Sequence, residues 1–420
     1  MSQKPITDQE ALDYHSKPSA GKVSVEPTTA FETQRDMSLA YTPGVAVPCL
    51  EIEKDKLKAY DYTSKGNLVA VITNGTAVLG LGDIGPLASK PVMEGKAVLF
   101  KKFSGIDSFD IEVDTKDIDY FCDTVAAIAE TFGGINLEDI KAPECFEIEK
   151  RLIERLEIPV MHDDQHGTAV ISAAGMLNAC EITGRKLKNL KVVVVGAGAA
   201  AISCARLYRF MGVENIYMID SKGLVHSGRK DLNKYKQEFM VDDFTTKKEA
   251  FTDANMVIGL SRPGSFDIED VKLMADKPIV FTLANPTPEI FPEDVKAVRP
   301  DAIIGTGRSD FNNQINNVLG FPFIFRGALD VRAKGINTEM KVAAAHALAN
   351  LAKAEVPQYL NELYDTELCF GQDYVIPKPF DKRLIVEVSS AVALAAVKSG
   401  MSDKKDFDVD AYKRDLSARI

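Results

Sequence analysis

Lys191-Val-Val-Val-Val-Gly196-Ala197-Gly198-Ala199-Ala200-Ala201 decides the fold. It reads as an apolar strand, a Gly-x-Gly-x-x-Ala turn and the start of a helix. Gly196 permits the tight turn, Gly198 lets backbone approach a pyrophosphate, and the small Ala201 allows helix and strand to pack closely. Phosphates would rest on the amides at the helix N-terminus, so Gly196 through Ala201 are the candidate cofactor loop. Asp220 ends the next apolar strand, 22 residues after Gly198, where a carboxylate grips the adenosine ribose. That carboxylate suits a free 2′-hydroxyl and repels a 2′-phosphate, a slight lean toward NAD. Lys222 can offset the repulsion, which leaves NADP open.

Working outward, further apolar runs lie at Val192–Val195, Ile216–Ile219, Met256–Leu260, Ile279–Leu283 and Ala302–Ile304. Uninterrupted apolar strands separated by helices indicate a parallel sheet covered on both faces. Upstream, strands are expected at Leu68–Thr73, near Ala97–Lys102, at Phe109–Val113 and at Ile158–Met161. Helices are expected over Phe121–Phe132 and Cys145–Glu157, because Phe121, Val125, Ile128 and Phe132 share one helical face. Residues 167–184 read as a linking helix stopped by Gly184. Beyond residue 310 the pattern is mostly helical, notably Glu339–Lys353 and Ser389–Lys398. The expectation is an α/β chain: an N-terminal α/β catalytic domain (1–165), a doubly wound Rossmann-type dinucleotide-binding domain (166–340) and a C-terminal helical segment (341–420) packing on both.

The 420 residues carry 50 Lys plus Arg against 61 Asp plus Glu, a net charge of -11. An acidic surface repels phosphate backbones, so nucleic acid is not an expected partner. No run of 18 apolar residues suggests a membrane span, and the N-terminus lacks the apolar core of a secretory signal. Six cysteines without CxxC spacing argue against a disulfide framework and for a reducing cytoplasm.

Two acidic pairs stand out, Glu138-Asp139 after the Gly133-Gly134 turn and Asp163-Asp164 after the Ile158–Met161 strand. Carboxylates brought together repel unless a cation neutralises them, and hard oxygen ligands suit Mg²⁺ or Mn²⁺. Taken alone, solvated turn carboxylates are the commoner fate of such residues. His162 and His166 flank the second pair but lack the cysteines or HExxH of a zinc site, so they read as packing or hydrogen-bonding residues.

The chain as a whole resembles the malic enzymes of the short bacterial type. The resemblance rests on ordered motifs: Ser38-Leu-Ala-Tyr41-Thr-Pro43-Gly44, Asn74 to Gly85, Pro91-Val-Met-Glu-Gly95-Lys96, Asn136-Leu-Glu138-Asp139, His162 to Thr168, Ala284-Asn285-Pro286 and Asn316-Asn317 to Pro322. It implies that Tyr41 is the general acid, that Lys96 is the general base, and that Glu138, Asp139 and Asp164 bind the metal with Asp163 just behind them. It further implies that Asn285 and Asn317 contact substrate. The implied reaction turns malate and NAD(P)⁺ into pyruvate, CO₂ and NAD(P)H with Mg²⁺ or Mn²⁺, in a cytoplasmic homodimer or dimer of dimers. As base, Lys96 needs a pKa well below the ordinary ~10.4. In the long eukaryotic forms an arginine precedes the Gly-Leu-Gly-Asp stretch and holds the substrate C1 carboxylate. Here Thr76 and Ala77 stand there, which leaves the metal and Asn317 for that task. Some bacterial relatives continue into an acyl-transferase-like extension, which a sequence ending at Ile420 is expected to lack. A plain hydroxy-acid dehydrogenase would need no carboxylate triad. A dead nucleotide sensor would have no need of Tyr41, Lys96 and all three carboxylates.

Overall fold

Two parallel sheets organise the chain in the computed structural model, which describes residues 6–78, 80–242 and 246–420. Leu79, inside the Asn74–Gly85 motif, lies outside the described residues. The first sheet holds β1 (Leu68–Thr73), β2 (Asp107–Glu112), β3 (Gly134–Leu137) and β4 (Val160–His162) in the order β2-β1-β3-β4. The second holds β5 (Lys191–Val195), β6 (Asn215–Asp220), β7 (Gly223–Leu224), β8 (Met256–Gly259), β9 (Ile279–Thr282) and β10 (Ile303–Thr306) in the order β10-β9-β8-β5-β6-β7. Every pairing is parallel except β6 with the short edge strand β7. β1, β8 and β9 are buried along their full length, which is why they read as unbroken apolar runs.

One expected strand is a helix. Ala97–Lys102 lies inside Pro86–Ser104, where Met93, Ala97, Phe100 and Ser104 are buried at helical spacing. The local run Ala-Val-Leu-Phe resembles a strand, but the period over the whole segment is helical and Gly105 (φ 66°) ends it in the left-handed conformation. Lys96 therefore sits on a helix. The linking helix also begins earlier than expected, at Asp163, and runs to Thr183 before stopping at Gly184 (φ 71°). Asp163 and Asp164 thus occupy its first turn, where the helix dipole favours carboxylates. The helix is buried nearly all round and carries the chain from one sheet to the other. The expected boundaries at 165/166 and 340/341 fall inside this helix and inside Thr338–Lys353.

The C-terminal helices close the core against the first sheet. Phe100 of Pro86–Ser104 meets Phe321 and Phe325 of Phe321–Asp330 edge to face, with centroids 4.8 and 5.4 Å apart. By contrast, the helices Asp8–Ser16, Gln34–Ala40 and Ala46–Lys54 bury no side chain. Among the described residues no helix is long and apolar enough to cross a membrane.

Phe100 ties the helix that bears Lys96 to the C-terminal helices, and it is fully buried. Phe100→Ala should cost ~3–5 kcal/mol of stability, as large-to-small core changes do. A lower urea midpoint for that variant, measured beside the parent, checks the assignment; an unchanged midpoint would show that the aromatic cluster is not a structural join.

Candidate active site

The strand order of the first sheet reverses between β1 and β3, and ligands of open α/β sheets bind outside the carboxyl ends of strands at such a point. Glu138 and Asp139 follow β3 directly, and Asp163 and Asp164 follow β4. One oxygen each from Glu138, Asp139 and Asp164 lies within 4.8 Å of the others. Asp139 takes a left-handed backbone (φ 52°), a conformation that Asp tolerates better than most residues. Its N–H donates to Asp164 Oδ2 at 2.7 Å. Its carbonyl accepts from the Ala77 N–H at 2.9 Å. Thr76 Oγ1 accepts from the Lys141 N–H and donates to Asn74 Oδ1. Thr76 and Ala77 are thus engaged in holding the Asp139 turn. Asn136 Nδ2 donates to Glu138 Oε2 at 2.8 Å and orients that carboxylate.

Lys96 enters from the opposite side. Its Nζ lies 2.7 Å from Asp163 Oδ2 and 2.9 Å from Glu138 Oε1, with the Phe321 ring centroid 4.2 Å away. Burial alone would lower its pKa, but Asp163 and Glu138 outweigh burial and hold it above the ordinary lysine value. The expected depression is therefore absent from this arrangement, because carboxylates rather than cations face the ammonium. Glu138 is pushed well above the usual carboxylate range, first by burial, with Lys96 opposing and Asp164, Asp163 and Asp139 adding repulsion. Such crowding is what a divalent cation relieves. The donor set, carboxylate oxygens without histidine or cysteine, fits Mg²⁺ or Mn²⁺.

Asp163 is wholly buried. Its Oδ2 also accepts from Asn317 Nδ2 at 3.1 Å, while Oδ1 has no hydrogen-bond partner. Thr168 Oγ1 donates to Asn317 Oδ1. Gly167 makes this possible, since a Cβ there would stand 2.1 Å from Asp163 Oδ1 and 3.0 Å from Asn317 Cγ. The sequence reading missed this role. Its signal is a glycine four residues after an aspartate within a helix, where glycine is otherwise unfavourable. His166 Nε2 pairs with Glu149, and His162 is buried. Neither belongs to the oxygen cluster.

Lys96, Glu138, Asp139, Asp163, Asp164 and Asn317 thus form one network. Tyr41 does not join it; it caps the Gln34–Ala40 helix and is 71% exposed. Asn285 precedes Pro286 on a loop beside Gly80, whose added Cβ would lie 3.2 Å from the Asn285 carbonyl oxygen. That places Asn285 where the second sheet's loops meet the Gly-rich turn of the first.

In the nucleotide half, Gly196 has φ 127°, and a Cβ there would strike the Leu260 carbonyl at 2.5 Å. The helix Ala199–Phe210 starts at Gly198 with no side-chain cap, so its first amides face outward for an anion. Ala201 is buried, and Ala197, Ala199 and Ala200 are half-buried. Asp220 is held by Arg229 through two hydrogen bonds (2.8 and 3.0 Å) and by Lys236 at 2.6 Å. Burial alone would raise its pKa, but these cations hold it at about 2. Its charge is therefore matched locally, which removes the premise of the lean toward NAD.

Comparison with known proteins agrees with this geometry. Residues 20–153 match the malic enzyme N-terminal domain and residues 165–365 the malic enzyme NAD binding domain. An NADP-dependent malic enzyme of Halomonas elongata is 59% identical over 398 residues, 94% of each chain. An NAD-dependent malic enzyme of Rhizobium meliloti is 54% identical over 410 residues, covering 96% of this chain and 53% of that longer protein. The crystal structure of a malic enzyme from Pyrococcus horikoshii superposes with a TM-score of 0.89 at 42% identity, covering 98% of this chain and 95% of that one. The chain is an enzyme and belongs to the malic enzyme family.

Proposed function

We propose that the chain catalyses the divalent-metal-dependent oxidative decarboxylation of (S)-malate to pyruvate and CO₂ with reduction of NAD(P)⁺. The observation that carries this reading is the buried Lys96–Asp163–Glu138 network set against the Glu138, Asp139 and Asp164 oxygens. Residues 1–165 supply Lys96 and the carboxylates of this site, 166–340 the dinucleotide loop together with Asn317 and Phe321, and 341–420 the helices that pack on them. Glu138, Asp139 and Asp164 would hold Mg²⁺ or Mn²⁺ and Gly196–Ala201 the dinucleotide; bound there, the cation supplies positive charge for the substrate's C1 carboxylate and C2 oxygen, and the dinucleotide accepts a hydride.

The side chains do the proton work. Lys96 takes the C2 hydroxyl proton in its amine form, so the carboxylate charge facing it must be matched before turnover. Asp163 and the Phe321 ring hold its head in place. Asn317, fixed by Asp163 and Thr168, meets the C1 carboxylate in place of the missing arginine, and Asn285 contacts the substrate from the other half. Tyr41 protonates C3 after CO₂ leaves, a step for which a phenol O–H is a fitting donor. Such a donor needs a sheltered setting. The arm that bears it exposes Met37, Leu39, Val47 and Leu50, apolar surface of the kind that subunit contacts cover. A homodimer or dimer of dimers covers this arm and encloses Tyr41. All six cysteines are free, which suits the reducing cytoplasm.

The ion-paired Asp220, with Lys222 exposed beside it, favours NADP⁺ over NAD⁺. Arg229→Ala would leave Asp220 partly unmatched. It should lower the NADP-to-NAD ratio of kcat/KM about tenfold, equivalent to ~1.4 kcal/mol. An unchanged ratio would remove this charge balance from cofactor choice.

Asp164→Ala should abolish Mn²⁺-dependent CO₂ release from malate while leaving dinucleotide binding intact, read by NADPH fluorescence. Retained activity with unchanged metal affinity would sink the ligand assignment. Lys96→Ala should lower kcat for malate oxidation by ~10²–10⁴-fold, the usual worth of an acid–base group. Tyr41→Phe should slow overall turnover yet keep more of the reduction of 2-oxo acids that need no C3 protonation. Near-parental malate oxidation by Lys96→Ala would take lysine out of the mechanism.

A further inference from the structure

Glu149 lies outside every motif discussed so far. It is 6% exposed on the helix Glu144–Arg155, a costly place for a carboxylate unless its oxygens are engaged. Its Oε1 accepts from the backbone N–H of His162 at 2.9 Å, and its Oε2 lies 3.0 Å from His166 Nε2. Lys341, buried on Thr338–Lys353, adds positive potential at the same carboxylate.

These two contacts bracket a short segment. His162 is the last residue of β4 and the N-cap of the Asp163–Thr183 helix, and it offers no capping side-chain hydrogen bond. The start of the helix is therefore not held by the usual local device. Glu149 grips it from another element, at the strand end and one turn into the helix. Between the two grips lie Asp163, which pairs with Lys96, and Asp164, whose oxygen joins the Glu138 and Asp139 oxygens.

We propose that Glu149 is a positioning residue for the metal site. Its carboxylate clamps the His162–His166 turn so that Asp164 meets Glu138 and Asp139 at chelating distance. This rests on the metal reading given above and deepens it. The carboxylate serves both contacts, with Oε1 also 2.9 Å from His166 Nε2; leucine, of similar bulk, offers no acceptor and drops both grips. Residues that orient metal ligands from behind typically change metal affinity 10–100-fold when altered.

The test uses the full chain and Mn²⁺ alone, with free Mn²⁺ followed by electron paramagnetic resonance and NADPH binding by fluorescence. Glu149→Leu should weaken Mn²⁺ binding by ~10–100-fold, with NADPH affinity and melting temperature close to the parent. His166→Ala, which removes one grip only, should weaken Mn²⁺ by less, and the double variant should be no weaker than Glu149→Leu alone. Parental Mn²⁺ affinity in both single variants would overturn the inference while leaving the metal site standing. So would a parallel loss of Mn²⁺ binding, NADPH binding and melting temperature, which marks a merely structural role. A parent that binds no Mn²⁺ would overturn the metal reading itself, and the positioning role with it.

Discussion

Four carboxylates and one ammonium, all but Asp164 buried, set the terms for the rest of this structure. Glu138, Asp139, Asp163 and Asp164 crowd the carboxyl edge of the first sheet, and Lys96 is the cation that faces them. Buried like charges are costly unless matched. The fold keeps them together because each is held by a different element: Glu138 by Asn136, Asp139 by its left-handed turn and Ala77, Asp163 by Lys96 and Asn317, and Asp164 by the Asp139 amide. The charge that remains is an invitation to a divalent cation.

The architecture follows from that requirement. A parallel sheet whose order reverses between β1 and β3 brings the turns after β3 and β4 side by side. The Asp163–Thr183 helix adds its N-terminal end to the same place, favouring negative charge there. Its glycine at 167 leaves room for Asp163 and Asn317 to meet. Phe321 serves twice, meeting Phe100 edge to face in the core and presenting its face to Lys96. One ring therefore couples packing between the sheet and the C-terminal helices to the orientation of Lys96.

The nucleotide half solves a related problem differently. Asp220 also sits at a strand end, but Arg229 and Lys236 match its charge from within the protein. A carboxylate that is already paired anchors basic residues beside the strand end instead of presenting bare negative charge there. The two halves thus use the same chemistry differently: one leaves carboxylate charge unmatched, as the proposed metal site requires, and the other matches it within the protein.

Local patterns in the chain were enough for the class of the fold, while the candidate catalytic and metal-binding residues came from the family resemblance. Apolar runs bounded by turn residues marked β1, β5, β8 and β9, because strands buried on both faces have no polar alternation to blur them. The Gly196–Ala201 loop was legible because backbone geometry demands small residues at fixed spacing. The carboxylate pairs were legible as pairs, and the family resemblance singled out Lys96, although the apolar stretch after it read as a strand until the full helical period was present in space. What no local pattern could carry were relations between distant segments. Arg229 and Lys236 reach Asp220 from 9 and 16 residues away, Asn317 reaches Asp163 across 154, and Glu149 grips a turn that begins 13 residues later. Whether a buried charge is matched depends on which side chains the tertiary fold brings within a few ångströms, since in a low-dielectric interior only near neighbours can replace the lost water.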